Sequence, residues 1–365
     1  MHTARKQRIC VNRGMGILCL IMLFCLTETD GHAQDWQPIS TLVSTSLKIE
    51  YPVIKAFDDN IHLIWGDYRD NGKPQVYYKH STDKGVSWNP GIRLSVDPNE
   101  SYDHDMALWN TNVHVVWTDA RHYSTDGSVE IYYKRSTNNG DSFEGEVRLT
   151  HTAEDNRYSD IAVFENTVHL IWVNYGIGVR VFYTRSEDNG NTWSIPLLLS
   201  DPTYDNSYPQ IGAFGNNVFV VWHKWNASYT NNEICYRRSR DNGNNWDPEA
   251  TLINGGGQYL FDPHISMFND NIHITSGRET TDPQGYLYYI HSTNCGDDWS
   301  PETQLTFDDV SISYAPVAAF EERVLLVWSE DEDGDRTDEI SYMKSLNNGV
   351  TWEPEFRLWF LSQPE

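Results

Sequence analysis

The chain has 365 residues, 39% of them hydrophobic and 13% aromatic, with 27 Lys+Arg against 52 Asp+Glu and a formal net charge of −25. That composition supports a large buried core. A body this acidic repels polyanions, which makes nucleic acid and anionic membranes poor partners.

Arg5, Lys6, Arg8 and Arg13 precede an apolar run from Ile17 to Leu26, and the small residues Gly31 and Ala33 follow. This is the layout of a secretory signal peptide over residues 1–33, cut after Ala33, and it implies a secreted or periplasmic protein. About ten apolar residues are too few to span a bilayer, which takes ~20. A retained anchor is the alternative. The bulky Phe24 before Cys25 argues against lipid attachment. Removal of residues 1–33 leaves 23 bases against 50 acids, a net charge of about −27. Cys235 and Cys295 remain, at different positions of different repeats, and their placement does not predict a disulfide.

Residues 34–365 read as one repeat domain. The motif Ser-x-Asp/Asn-x-Gly-x-x-Trp/Phe starts at Ser81, Ser136, Ser186, Ser239, Ser292 and Ser345, at spacings of 55, 50, 53, 53 and 53 residues. A fixed period of this size marks a repeat architecture. In the first unit, Val53–Phe57, Ile61–Trp65, Gln75–Lys79 and Trp88–Leu94 are short runs rich in β-branched and aromatic residues. Asp/Asn/Gly clusters separate them, so they read as strands. Four strands in each of six units predict an all-β, six-bladed β-propeller with four-stranded antiparallel blades. Within the motif, Gly suits a positive φ and the Asp/Asn accepts turn hydrogen bonds. Asn stands in for Asp in half the copies, so that side chain binds hydrogens rather than transferring protons.

An aromatic six residues before a leucine closes every unit, from Trp88/Leu94 to Trp352/Leu358. It also occurs ahead of the first, at Trp36/Leu42. The expectation is that Trp36–Leu42 pairs against the last blade.

The motif resembles the Asp box, or bacterial neuraminidase repeat, of the sialidase superfamily, and the resemblance covers about residues 36–360. It implies a glycan-acting propeller, an exo-sialidase-like glycoside hydrolase, whose mouth is built by the loops after the second strand and before the first. Asp boxes also occur in propellers that only bind, so a non-catalytic carbohydrate- or protein-binding propeller stands beside the enzyme. The Arg-Ile-Pro of true sialidases is missing. Glu50-Tyr51-Pro52 stands in its place, which argues against a sialic acid substrate.

Departures from the repeat point to candidate site residues. The second strand ends Trp-x-acid at Asp67, Asp119 and Glu330, but becomes Asn174, Lys224 and Arg278 in the third, fourth and fifth units. If this register faces the mouth, Asp67, Asp119 and Glu330 are acid/base candidates. Arg69, Arg121, Lys224 and Arg278 are then substrate clamps. The alternative makes the acids turn caps paired with Arg69, Arg121 and nearby bases. Leading into the first strand, one register holds Tyr51, Asp103, Tyr158, Tyr208, Asp262 and Tyr314. Two residues on, and on the same strand face by period-two alternation, come Val53, Asp105, Asp160, Gln210, His264 and Pro316. Asp105 and His264 are candidates for substrate contact. The acids around them can hold a hydrated Ca²⁺ in the channel, or can simply bind water and backbone; no other cofactor is implied. The repeated tyrosines read as scaffold, with Tyr314 the exception, since it resembles the tyrosine nucleophile of sialidases. Tyr68, Tyr123, Trp225, Tyr229 and Tyr286 suit stacking on a glycan partner.

Overall fold

In a computed structural model the described residues are 9–11, 41–45, 47–226, 232–279, 285–307, 311–313, 315–331, 339–358 and 360–362. They form six antiparallel sheets arranged as the blades of a propeller, and their only α-helix is the single turn Tyr123–Asp126. The first blade runs Ile49–Phe57, Asn60–Asp67, Gln75–Ser81 and Ile92–Arg93. The second runs Ser101–Trp109, Asn112–Asp119, Glu130–Ser136 and Val147–Arg148. Blades three, four and five begin at Asn156, Asp205 and Tyr259 and repeat the order. In the sixth, the first strand is split into Ser311–Ser313 and Val317–Phe320, both paired to Arg323–Asp331. The fourth strands are short, mostly two residues, because the Asp-box turn and the loop beyond it use the rest of that segment.

The second strands are buried almost end to end, and their tryptophans, Trp65, Trp117, Trp172, Trp222 and Trp328, anchor the blade cores. A buried indole N–H needs an acceptor. Asp67 and Asp119 supply it within their own strands, at 2.9 Å each. Where the acid is lost, an asparagine on the first strand takes over: Asn156 for Trp172 and Asn206 for Trp222, both at 3.0 Å.

The repeated Ser-x-Asp/Asn-x-Gly turn joins neighbouring blades. In the first copy the Ser81 hydroxyl accepts the Gly85 N–H at 2.9 Å, and Asp83 accepts both the N–H and the hydroxyl of Ser87. These bonds hold the Asp83 carboxyl down at about 2. The glycines have φ between 75° and 86°. They also face the tyrosine of the preceding blade. A Cβ on Gly140, Gly190, Gly243 or Gly349 would lie within 2 Å of the hydroxyl of Tyr78, Tyr133, Tyr183 or Tyr289. The box aromatic meets the same tyrosine edge-on, as Trp193 meets Tyr133 with centroids 5.1 Å apart. A buried histidine completes each latch: His62, His114, His169 and His273 share hydrogen bonds of 2.6 to 2.8 Å with those four hydroxyls. In the fourth blade Phe219 replaces the histidine and stacks on Tyr236. At the seam between last and first blades, the nearest atoms to Gly85 belong to Ile61 and Trp88 of its own blade.

The last blade takes its fourth strand from the C-terminus, Phe356–Leu358 paired with Ile340–Tyr342. Residues 36–40 lie outside the described residues, and no strand pairing involves 41–45. Leu42 nevertheless fills the slot of a preceding blade's terminal leucine. It packs on Leu63, Trp65 and Tyr77, and its carbonyl accepts from Lys79 as that of Leu94 accepts from Lys134. The expected pairing of Trp36–Leu42 therefore falls mostly outside the described residues. Of residues 1–33 only Ile9–Val11 are described, paired in parallel with Phe360–Ser362.

Candidate functional site

The second-strand register does not gather at the mouth. Asp67 and Asp119 are fully buried. Asp67 accepts from the Trp65 indole and from the backbone N–H, Nε and Nη2 of Arg69. Asp119 repeats the pattern with Trp117 and Arg121. Burial pushes the Asp67 carboxyl up, but the Arg69 guanidinium and the indole more than offset it and hold it below the usual range. This is the geometry of a turn cap, and neither acid is placed to exchange protons with a ligand. The side chain of Glu330 and all of Tyr314 and Tyr229 lie outside the described residues.

The four expected clamps turn outward along their blades. Arg121 pairs with Glu146 at 2.9 Å as well as with Asp119, and lies over the Tyr132 ring. Lys224 pairs with Glu249 at 2.6 Å and Arg278 with Glu302 at 2.7 Å. Glu146, Glu249 and Glu302 each follow the Asp-box aromatic by three residues and so lie on the outer side of the blade. Lys224 does line a cleft of about 490 Å³ with Asp201, Arg237 and Glu249, but that cleft lies between the third and fourth blades, away from the axis.

The first-strand register does converge. Every described first strand carries a β-bulge at the same place: between Glu50 and Val53, Tyr102 and Asp105, Arg157 and Asp160, Ser207 and Gln210, and Phe261 and His264. The residues Tyr51, Asp103, Tyr158, Tyr208 and Asp262 there have φ between 41° and 52°. A left-handed residue other than glycine costs about 1–2 kcal/mol. Five around one opening concentrate strain there, and the bulges re-aim the side chains. They also break the period-two alternation, so Asp103 and Asp105 do not share a face as simple strand geometry predicts. The tyrosines of this register are accordingly surface rather than scaffold. Tyr51 is 63% and Tyr208 41% exposed. The Tyr158 ring lies 5.3 Å from Tyr208 and 6.3 Å from Tyr175.

Asp103 sits among them. Burial pushes its carboxyl up to about 6, with Glu50 adding to the shift; the Arg157 guanidinium and the Tyr158 N–H act against it. Burial raises Asp262 too. Asp262 belongs to the fifth blade, opposite the second in a ring of six, and the Tyr208 phenol is raised by burial, with the charges of both adding to the shift. Glu50, which occupies the Arg-Ile-Pro position, accepts from Tyr68 at 2.8 Å and pairs with Lys48. Sequence reading placed Asp103 and Asp262 only among the acids of a channel cation site, and passed over Arg157 and Tyr175. The signal was available, because acids replace tyrosine at one repeated register.

Below the mouth, Asp105 accepts the Ile161 N–H of the next blade and Asp160 the Ile211 N–H of the blade after it. Burial, then the charge of Asp105 and a hydrogen bond with it, drive the Asp160 carboxyl well up. Asp105 therefore staples blades, and His264 is buried near Lys55, which with burial pushes it down to about 4. Among the described residues no three His, Cys, Asp or Glu groups are arranged to hold a metal ion. At the far end Phe57, Trp109, Phe164, Phe214, Phe268 and Phe320 follow one another at centroid spacings of 4.5 to 5.7 Å. These rings form an aromatic row at the end of the first strands away from the bulges.

The architecture is that of a sialidase-like six-bladed propeller. A solved ulvan lyase of polysaccharide lyase family PL25 superposes with a TM-score of 0.59 at 12% identity, covering 84% of this chain and 83% of that one. The Trypanosoma rangeli sialidase gives 0.52 at 15% identity over 80% of this chain and 54% of its own. The Hadza microbial sialidase Hz136 gives 0.52 at 14% over 82% and 67%. No family model and no curated protein matches the chain. The likeness is one of fold.

Proposed function

We propose that this protein acts on glycans at the bulged mouth, stacking a sugar on Tyr158 and Tyr208 and cleaving a glycosidic bond with Asp103 as proton donor. The observation that carries the reading is a tyrosine platform beside a carboxyl that keeps its proton to about pH 6. A general acid needs this, because a carboxyl of ordinary pKa is ionised near neutrality. Asp262 on the opposite blade is the second carboxyl, suited to activate water or stabilise positive charge at the sugar. The fold neighbours support the class: one is a polysaccharide lyase bound to -[GlcA(1-4)Rha3S]-, the others sialidases. The basic, apolar and small-residue order of residues 1–33 supports secretion, and no helix among the described residues is long and apolar enough to cross a membrane.

Asp103→Asn is expected to lower turnover of the best substrate in a panel of chromogenic glycosides and polysaccharides by at least 100-fold, in line with the ~10²–10⁴ contribution of general acids. Tyr158→Ala is expected to weaken glycan binding about tenfold. Unchanged turnover in the Asn variant would remove Asp103 from the reaction. A second reading, glycan binding without cleavage, is favoured by the complete engagement of Asp67 and Asp119. Wild-type protein that binds glycans through Tyr158 but turns over none of the panel would establish it.

A further inference from the structure

Charge at the mouth narrows the class of sugar. A carboxylate or sulfate on a ligand needs an available cation. Lys55, exposed on the first strand of the first blade, has no ion pair among the described residues, but it acts on Asp160 and His264 rather than on Asp103 or Asp262. The other described cations nearest the bulged register are engaged. Lys48 is held by Glu50, Arg69 by Asp67, Arg157 by Asp155, Lys224 by Glu249 and Arg278 by Glu302. An anionic sugar held beside Asp103 or Asp262 would have to break one of these pairs and strand a partly buried acid, which costs more than the pair itself is worth. Asp103 and Asp262, by contrast, sit at the strained register with no guanidinium or ammonium bound to their carboxyls among the described ion pairs. Glu50 lies close enough to Asp103 to act on its ionisation, though less than the Arg157 guanidinium, which acts the other way while paired with Asp155. The exposed faces of Tyr51 and Tyr208 take an apolar sugar face or a cation, and repel neither.

We propose that the mouth selects glycans that are neutral or bear amines, and rejects uronic acids, sialic acid and sulfated sugars. This rests on the glycan reading above and deepens it. The selection is electrostatic, so it weakens with salt, which screens partly exposed charges over ~10 Å at 0.1 M. It also weakens as Asp103 takes up its proton. The groups that set that protonation are Glu50 from the first blade, Tyr102 and Asp103 itself from the second, and Arg157, Tyr158 and Tyr175 from the third, with Tyr208 from the fourth.

The test uses full-length protein without its leader and backbone-matched hexasaccharides. One set is β-1,4-linked glucose, glucosamine and glucuronate; a second is α-1,4-linked galactose and galacturonate. Affinities are measured by calorimetry at pH 7.5 and low salt. Within any set that binds, the acidic member is expected to bind at least tenfold more weakly than the neutral one. The gap should shrink at least threefold in 0.3 M salt, and again in a Glu50→Gln, Asp262→Asn double variant. An acidic member that binds as tightly as its neutral counterpart overturns the charge inference and leaves the glycan reading standing. A gap unmoved by salt and by the double variant also overturns it, since the discrimination would then be steric. If no set binds and a wider glycan array is blank, the glycan reading falls and this one falls with it.

Discussion

Acid should unfold this propeller at a mild pH, because its blade latches are built on neutral histidines. His114, His169 and His273 are pushed down to about 3 by burial, with a neighbouring arginine or histidine adding to the shift. His62, His223 and His264 are pushed down to about 4, again chiefly by burial. A free histidine titrates near 6.5. Each folded pKa lies below the unfolded one, so the stabilisation is whole above about pH 6.5 and is lost as pH falls toward 4. At pH 5 the unfolded chain holds roughly one more proton than the folded chain for each of the six. Asp103, Asp160 and Asp262 act the other way, since their raised pKa values let the folded protein bind protons first. The histidines outnumber these carboxyls, so on balance the unfolded chain gains a few protons, which is on the order of 4 kcal/mol lost per pH unit. Domain stabilities are roughly 5–15 kcal/mol, so most of the reserve is gone within about two pH units. With an unfolding entropy of ~2.1 cal/mol/K per residue, Tm should fall about 6 °C between pH 6 and pH 5. Calorimetric melts from pH 7.5 to 4.5 read this directly. His169→Phe, which copies the natural Phe219, removes one of these protons and should make the decline shallower, by about 1.4 kcal/mol per pH unit. A Tm that stays level or climbs from pH 7 to pH 5 would refute the reasoning.

Two further perturbations test the latch and the cap. Gly190→Ala places a Cβ 1.9 Å from the Tyr133 hydroxyl at a φ of 86°; the clash and the left-handed strain together should cost about 3 kcal/mol, seen as a Tm lower by about 4 °C. Asp119→Ala leaves the Trp117 indole unpaired and the Arg121 guanidinium with Glu146 alone; it should cost about 3 kcal/mol, and Asp119→Asn, which keeps an acceptor for the indole, clearly less on the same melts.

The repeat made the architecture legible. Six Asp boxes at near-constant spacing and strand-like flanks carry four strands per blade without any tertiary information. The site was harder to read for a physical reason. Subtracting the repeat picked out Lys224 and Arg278, yet a change of residue at one position can be answered elsewhere in the same blade. The Trp172 and Trp222 indoles pass to Asn156 and Asn206, and Lys224 and Arg278 pair with glutamates some 25 residues away. Such compensations cross strands and leave no local trace. The tyrosine register misled in the opposite sense. Recurrence of Tyr51, Tyr158 and Tyr208 suggested packing, whereas a bulge at each first strand turns all three toward the opening. Bulges follow from pairing register, which no single strand reveals.

These two features place opposite demands on one pH range. The latch needs histidines without protons, and it weakens below about 6.5. A proton donor at Asp103 needs a carboxyl with its proton, and that fraction falls above about 6. Both shifts come from the same cause, burial of an ionisable group in a closely packed ring. The packing that raises the Asp103 carboxyl therefore belongs to the same ring that acid opens. The two tendencies overlap only in a band around pH 6, where much of the carboxyl still holds its proton and most of the latches are still closed. Moving that band would require changing the histidines, since Asp103 lies at a strained register shared by five blades, while Phe219 shows that a latch tolerates an uncharged ring.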